Sequence, residues 1–233
     1  MPTHRPVAPG TRRFDADGTL FDFAAAEGRA LELAFQAAKL NYAEPYLAAY
    51  RTINQQLWAA LERHELTPAE LPVRRFELLL ETLALTASAP EISATYLQEL
   101  ALGAQLMEGA EAVLRALAPT HRFALITNGL KAVQRSRLAH SPIRDYFVDV
   151  IISEEIGAAK PHAAFFETAM QRLGHPPKRE VLVIGDSLAA DMQGGADFGL
   201  DVCWFNPAGL PRPAAPALTY EIARLPELLD RLR

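Results

Sequence analysis

The sequence predicts an α/β fold: a doubly wound parallel sheet whose first strand is separated from the others by an all-helical insertion. Three observations predict it. Short, nearly continuous apolar runs with β-branched residues stand at 123–127, 148–153, 181–185 and 201–205, the pattern of strands covered on both faces. The lengths between them suit helical crossovers. Residues 23–107 hold no strand pattern, only apolar residues recurring at helical spacing.

Taken in order, the first strand candidate is the weakest. The segment from Val7 to Phe14, just before Asp15, contains Pro9, Gly10 and the adjacent Arg12 and Arg13, so a strand here is short. The insertion follows. Leu47, Tyr50, Leu57, Trp58 and Leu61 mark one helical face, and Val73, Phe76, Leu80 and Leu83 another. Pro68, Pro72 and Pro90 stand where helices start or stop. Asn54 falls on the first apolar stripe, which points to a buried hydrogen bond between helices. Phe123–Thr127, Val148–Ser153, Val181–Gly185 and Asp201–Phe205 supply the remaining strands, with Cys203 read as a packing residue. Pro207 to Pro216 reads as a loop. The expected division is therefore a core of residues 1–22 and 108–233 and a helical cap domain of residues 23–107.

Composition narrows the function classes. A chain of 233 residues with half of them hydrophobic can bury a sizeable core. The formal net charge of −5 is spread without long runs, so no electrostatic footprint for nucleic acid or an anionic membrane is present. The single cysteine excludes an intrachain disulfide and a thiolate metal cage. The first residues lack the apolar stretch of a secretory signal and no run is long enough to span a bilayer, so the expectation is a soluble cytoplasmic protein. The six histidines show no zinc spacing. Gly194 to Gly199 is glycine-rich, but outside the strand-turn-helix setting of a dinucleotide site, so it reads as packing or a turn.

The chemistry lies at the strand ends, where open parallel sheets bind ligands. The first strand delivers Asp15 and Asp17; the second delivers Thr127, Asn128 and Gly129. The third leads through Ser153, Glu154 and Glu155 to Lys160 and Pro161, and the fourth delivers Asp186, Ser187 and then Asp191. A single Asp or Thr after a strand is usually a helix cap; four such coincidences at one edge are not. The set suits phosphoryl transfer from a small phosphate monoester. Mg²⁺ offsets repulsion between a carboxylate and the phosphate anion, with Asp15, Asp186 and a backbone carbonyl near Asp17 as oxygen ligands. Lys160 adds fixed positive charge, while Thr127 and nearby amides such as that of Asn128 donate to the phosphoryl oxygens. In an extended segment Asp15 and Asp17 point to one side. One can then attack phosphorus while the other protonates the leaving oxygen. Adjacent carboxylates favour a raised pKa on one of the two.

Asp15-Ala16-Asp17-Gly18-Thr19-Leu20-Phe21-Asp22 resembles the first motif of the haloacid dehalogenase superfamily. Thr127-Asn128-Gly129, Lys160-Pro161 and Gly185-Asp186-Ser187-Leu188-Ala189-Ala190-Asp191 resemble the second, third and fourth, in order. The resemblance implies a Rossmann-like core with a helical cap after strand one. It also implies that Asp15 is the nucleophile, Asp17 the acid/base and Asp186 a metal ligand. Asp191 becomes the carboxylate that orients metal water or Lys160, and Thr127 and Lys160 the phosphoryl binders. A narrower resemblance, to a bacterial pyrimidine 5′-nucleotidase branch, rests on Phe14 with Leu20-Phe21-Asp22-Phe23 and on Val133-Gln134-Arg135-Ser136-Arg137. Ser153-Glu154-Glu155-Ile156-Gly157 and Cys203-Trp204-Phe205-Asn206-Pro207 belong to it too. It implies a nucleoside 5′-monophosphate substrate. Another phosphate ester such as a sugar phosphate, 2-haloacid dehalogenation and a non-enzymatic phospho-aspartate switch remain as alternatives. Two departures stand out: Arg12 and Arg13 on the strand before the nucleophile, and His162 where an acidic residue often follows Lys-Pro.

Overall fold

The computed structural model describes residues 11–63 and 65–232, with the side chains of residues 11–14 and Glu62 outside the description. Six strands, β1 (Thr11–Asp15), β2 (Arg122–Thr127), β3 (Phe147–Ile152), β4 (Val181–Gly185), β5 (Asp201–Phe205) and β6 (Tyr220–Ile222), form one sheet in the order β3-β2-β1-β4-β5-β6. Every pairing is parallel. The four apolar runs account for β2 to β5, and residues 123–127 and 181–185 are buried throughout, as strands covered on both faces must be. Ser153, expected to end the third strand, instead opens a short helix. β6 was not expected from sequence.

The weak first strand is central. Backbone pairing runs along both its edges, Phe14 lying opposite Leu125 of β2 and Ile184 of β4. Ladder bonds on two sides hold a five-residue segment whose composition favours no strand. The question raised by the side chains of Arg12 and Arg13 lies outside the described residues.

The chain divides into two compact units. The first is the sheet unit: the described residues up to Asp22, with Gln105–Lys131 and Leu138 onward. The second holds Phe23–Ala104 and Ala132–Arg137. Its helices are α1 (Phe23–Ala37), α2 (Pro45–Glu62), α3 (Leu71–Thr82) and α4 (Ala89–Leu102). The sheet unit carries α5 (Ala110–Leu117), and α6 (Lys131–Ala139) is shared between the two. It also carries α7 (Ser153–Ile156) and α8 (Ala163–Arg172). Sequence put residues 105–107 with the helices. They group with the sheet because Asp22 N–H bonds to Gln105 O, Met107 N–H bonds to Leu20 O, and Phe21 bridges Leu106. Residues 132–137 group with the helices, where Arg137 donates to Leu100 O and lies 5.7 Å from the Phe23 ring.

Within the helical unit, Pro72 and Pro90 occupy first turns, where the missing N–H has no intrahelical partner to lose. Tyr50, Phe76 and Tyr96, from three helices, pack with ring centroids 5.3–5.6 Å apart. The Arg75 guanidinium lies 4.7 Å from the Tyr96 ring centre. Arg75 also donates to Asn54 Oδ1 at 3.4 Å, which is the buried inter-helix bond expected of Asn54. Among the described residues, no helix is long and apolar enough to cross a membrane.

In the sheet unit, Phe165, Phe166, Val183, Met192, Val202 and Trp204 belong to one apolar cluster. Gly194 serves this packing: a Cβ there would lie 2.7 Å from Pro161 Cα. The cluster therefore fixes the turn that carries Lys160. Cys203 is fully buried.

Candidate active site

The order β3-β2-β1-β4-β5-β6 places the topological switch between β1 and β4, because the chain winds outward from β1 in one direction and from β4 in the other. Ligands bind outside the carboxyl ends of strands at such a point. Asp15 is the last residue of β1, and Asp186 directly follows β4. Their carboxylates meet there with that of Asp191: one oxygen from each lies within 4.8 Å of the others.

Lys160 holds this group together. Its ammonium, 2% exposed, donates to Asp15 Oδ1 at 2.5 Å, to Asp191 Oδ1 at 2.6 Å and to Ile126 O at 3.2 Å. The expected link between Asp191 and Lys160 is thus present. Asp191 itself is placed by a π-helical turn over Leu188–Gln193, and its Oδ2 accepts from Ser187 N–H. Such turns aim a side chain that an α-helix would misdirect. Thr19 donates to Asp186 Oδ1 at 3.1 Å, and Trp204 Nε1 donates to the Asp186 main-chain oxygen at 2.9 Å. Neither was singled out for the site from sequence, because a Thr in a turn and a Trp in a strand carry no charge signal. Gly18, at φ +75°, lets the turn after Asp17 approach Asp186; a Cβ there would fall 2.5 Å from Oδ2.

The electrostatics follow from burial. Loss of water pushes the Asp15 carboxyl well above the usual range; Lys160 opposes the shift, and Asp191 and Asp186 add to it. Burial works against the Lys160 charge too, yet Asp15 and Asp191 hold it above the ordinary lysine value. Asp186 is the exposed member of the three. Partial desolvation, then the Asp191 charge, push it up to about 6.

The donor set fits a divalent cation. When ionised, three carboxylates around one ammonium would carry two negative charges in excess, with Asp15 and Asp191 buried and Asp186 exposed. Hard oxygen ligands of this kind suit Mg²⁺. Asp17 lies outside the trio. β1 ends at Asp15, and Asp17 stands within the turn in which Leu20 and Phe21 N–H both bond to Ala16 O.

At the end of β2, buried Thr127 accepts from Gly129 N–H at 3.1 Å through its hydroxyl oxygen, whose proton remains available for donation. The Asn128 side chain has a use that was not expected. Its amide grips the Lys160 backbone twice, Nδ2 to O at 2.8 Å and N–H to Oδ1 at 2.9 Å. Glu154 accepts from Lys131 N–H at the start of α6, and His162 stands directly before α8 without capping it.

Residues 14–199 match the haloacid dehalogenase-like hydrolases. The chain belongs to that family. This haloacid dehalogenase-like hydrolase is 37% identical to YfnB of Bacillus subtilis (strain 168), over 94% of this chain and 93% of that one. A crystal structure of YfnB bound to magnesium superposes with a TM-score of 0.90, at 36% identity over 98% of this chain and 99% of that one. Two pyrimidine 5′-nucleotidases are also similar. YjjG of Escherichia coli (strain K12) is 32% identical over 92% of this chain and 94% of its own. PynA of Streptococcus pneumoniae (strain ATCC BAA-255 / R6) is 36% identical over 94% and 93%.

Proposed function

We propose that this hydrolase is a Mg²⁺-dependent phosphomonoesterase that works through a phosphoryl-aspartate on Asp15, with pyrimidine nucleoside 5′-monophosphates as its substrate class. The observation that carries the chemistry is the Lys160 ammonium bridging Asp15 and Asp191 beside Asp186. The substrate class rests on the similarity to YjjG and PynA. A reducing cytoplasmic compartment fits the single cysteine, Cys203.

Lys160 on Oδ1 orients the Asp15 carboxylate and favours its ionised form. Asp15 attacks phosphorus as the bond to the ester oxygen breaks, and Asp17 gives that oxygen a proton. Asp17 then takes a proton from water, which attacks the same phosphorus. The oxygen–phosphorus bond to Asp15 breaks, releasing inorganic phosphate and restoring the carboxylate. Thr127 and Lys160 bind phosphoryl oxygens, and Asn128 keeps Lys160 in register. Asp15, Asp186 and a main-chain carbonyl near Asp17 would hold Mg²⁺, which would supply positive charge to offset the repulsion between carboxylate and phosphate. The acids Asp186 and Asp191 weigh against dehalogenation, which has no use for a divalent cation.

The test is phosphate release across pyrimidine and purine monophosphates and sugar phosphates, with and without Mg²⁺. Asp15→Asn is expected to abolish release while keeping the fold by circular dichroism. Near-normal turnover in that variant overturns the mechanism. A preference for sugar phosphates overturns the substrate class alone.

A further inference from the structure

Trp204 is 1% exposed on β5, within the apolar cluster that includes Val183, Met192 and Val202. An indole has one N–H to donate and nothing to accept with, so its burial calls for a partner. That partner is the main-chain oxygen of Asp186, 2.9 Å away. Gly185 lies in register with Trp204 across the β4–β5 ladder. The bond therefore reaches one residue past the end of β4, to where the ladder gives way to the turn carrying Asp186. Thr19 holds the same residue by its side chain, at Oδ1. A rigid aromatic anchor thus fixes the Asp186 main chain while a separate hydroxyl fixes its carboxylate.

We infer that Trp204 is a positioning residue for the metal centre: its indole N–H sets the Asp186 main chain so that the carboxylate meets those of Asp15 and Asp191 in a geometry that takes Mg²⁺. The inference rests on the metal-site reading given under Proposed function. Metal ligands must be held to within about 0.5 Å of productive geometry by the groups around them. Loss of such a supporting bond typically weakens metal affinity about 10–100-fold. Trp204 is also an optical reporter of the site, since the chain has only one other tryptophan, Trp58.

The experiment is titration of the full chain with Mg²⁺ alone, followed by calorimetry. Trp204→Phe keeps an aromatic ring and removes the N–H. Its expected effect is an affinity for Mg²⁺ weakened about tenfold, with kcat at saturating Mg²⁺ changed far less than the Mg²⁺ concentration needed for half-activation. Val202→Ala is the control, since it removes packing from the same cluster without a bond to Asp186. It is expected to lower the metal-free Tm and leave the affinity unchanged. In Trp58→Phe protein, Mg²⁺ is expected to change the Trp204 emission saturably, and Asp186→Asn to abolish that response. If Trp204→Phe lowers only the metal-free Tm and binds Mg²⁺ like the wild type, Trp204 is a core residue and the inference falls. A wild-type protein that takes up no Mg²⁺ overturns the metal reading and the inference together. One that binds Mg²⁺ but releases no phosphate overturns the proposed activity alone.

Discussion

Replacing Lys160 with Met keeps most of the buried stem and removes only the ammonium, so the substitution isolates charge from packing. The ammonium compensates Asp15 and Asp191, which are 7% and 0% exposed. Breaking a buried pair by removing one partner costs about 3–5 kcal/mol, because the remaining charge is left uncompensated. For a domain of this size that corresponds to roughly 10 °C in Tm. The cost must also depend on pH. Burial already places the folded-state pKa of Asp15 above its unfolded value, and Lys160 opposes that rise. Without Lys160 the folded value climbs further. A carboxyl raised in this way contributes stability that is fully present below its unfolded pKa and lost as pH rises through the folded one. Lys160→Met is therefore expected to approach wild-type stability in acid, where Asp15 is protonated in the folded and unfolded chains alike, and to fall further behind as pH rises and the buried carboxyl must ionise. Urea unfolding in EDTA at several pH values, with both proteins side by side, measures it. A deficit constant across that range would refute the electrostatic account and assign the loss to packing.

Two further outcomes follow from the same geometry. Asp186, pushed up to about 6, must lose its proton to hold a cation. In metal-free protein its contribution to stability is lost as pH rises through that value, and Mg²⁺ restores it. The Tm increase on adding Mg²⁺ should thus grow from about pH 5 to about pH 7.5, and a flat or falling increase in differential scanning fluorimetry contradicts the assignment. Asn128→Ala removes both bonds to the Lys160 backbone. It should cost about 2 kcal/mol of stability and lower kcat at least about tenfold with a smaller change in KM. A raised KM at unchanged stability would instead make Asn128 a direct phosphate ligand.

Much of this was legible because the core strands are long apolar runs and because the acids and Lys160 follow them directly. The legible features are local ones. β6, the three residues Tyr220-Glu221-Ile222, is too short to show a period and follows a proline-rich stretch. β1 gains its order from neighbours on both edges, information absent from Thr11 to Asp15. The π-helical turn that aims Asp191 differs from an α-helix by one residue in hydrogen-bond register, which no side-chain pattern announces. The grip of the Asn128 side chain on the Lys160 backbone was not legible, because motif position fixes where the residue sits but not which way its side-chain amide is used. The boundary at 105–107 depends on backbone bonds to residues 20–22, again invisible in composition.

The same turn geometry bears on how Asp15 and Asp17 divide their work. Sequence suggested that two carboxylates on one side of an extended segment would set each other's titration. In the structure the charges that weigh most on Asp15 are Lys160, Asp191 and Asp186, all from other strand ends. Asp17 instead lies half-buried in the turn closed by Gly18 N–H on Phe21 O. A nucleophile must stay ionised although burial opposes it, and Lys160 together with a divalent cation lowers the pKa of Asp15 toward that state. An acid/base must instead exchange protons with a leaving oxygen and with water, which suits a half-exposed side chain beyond the ion cluster. Under the proposed mechanism, then, the roles separate by backbone position. The strand end buries the group that attacks, and the turn leaves within reach of water the group that moves the proton.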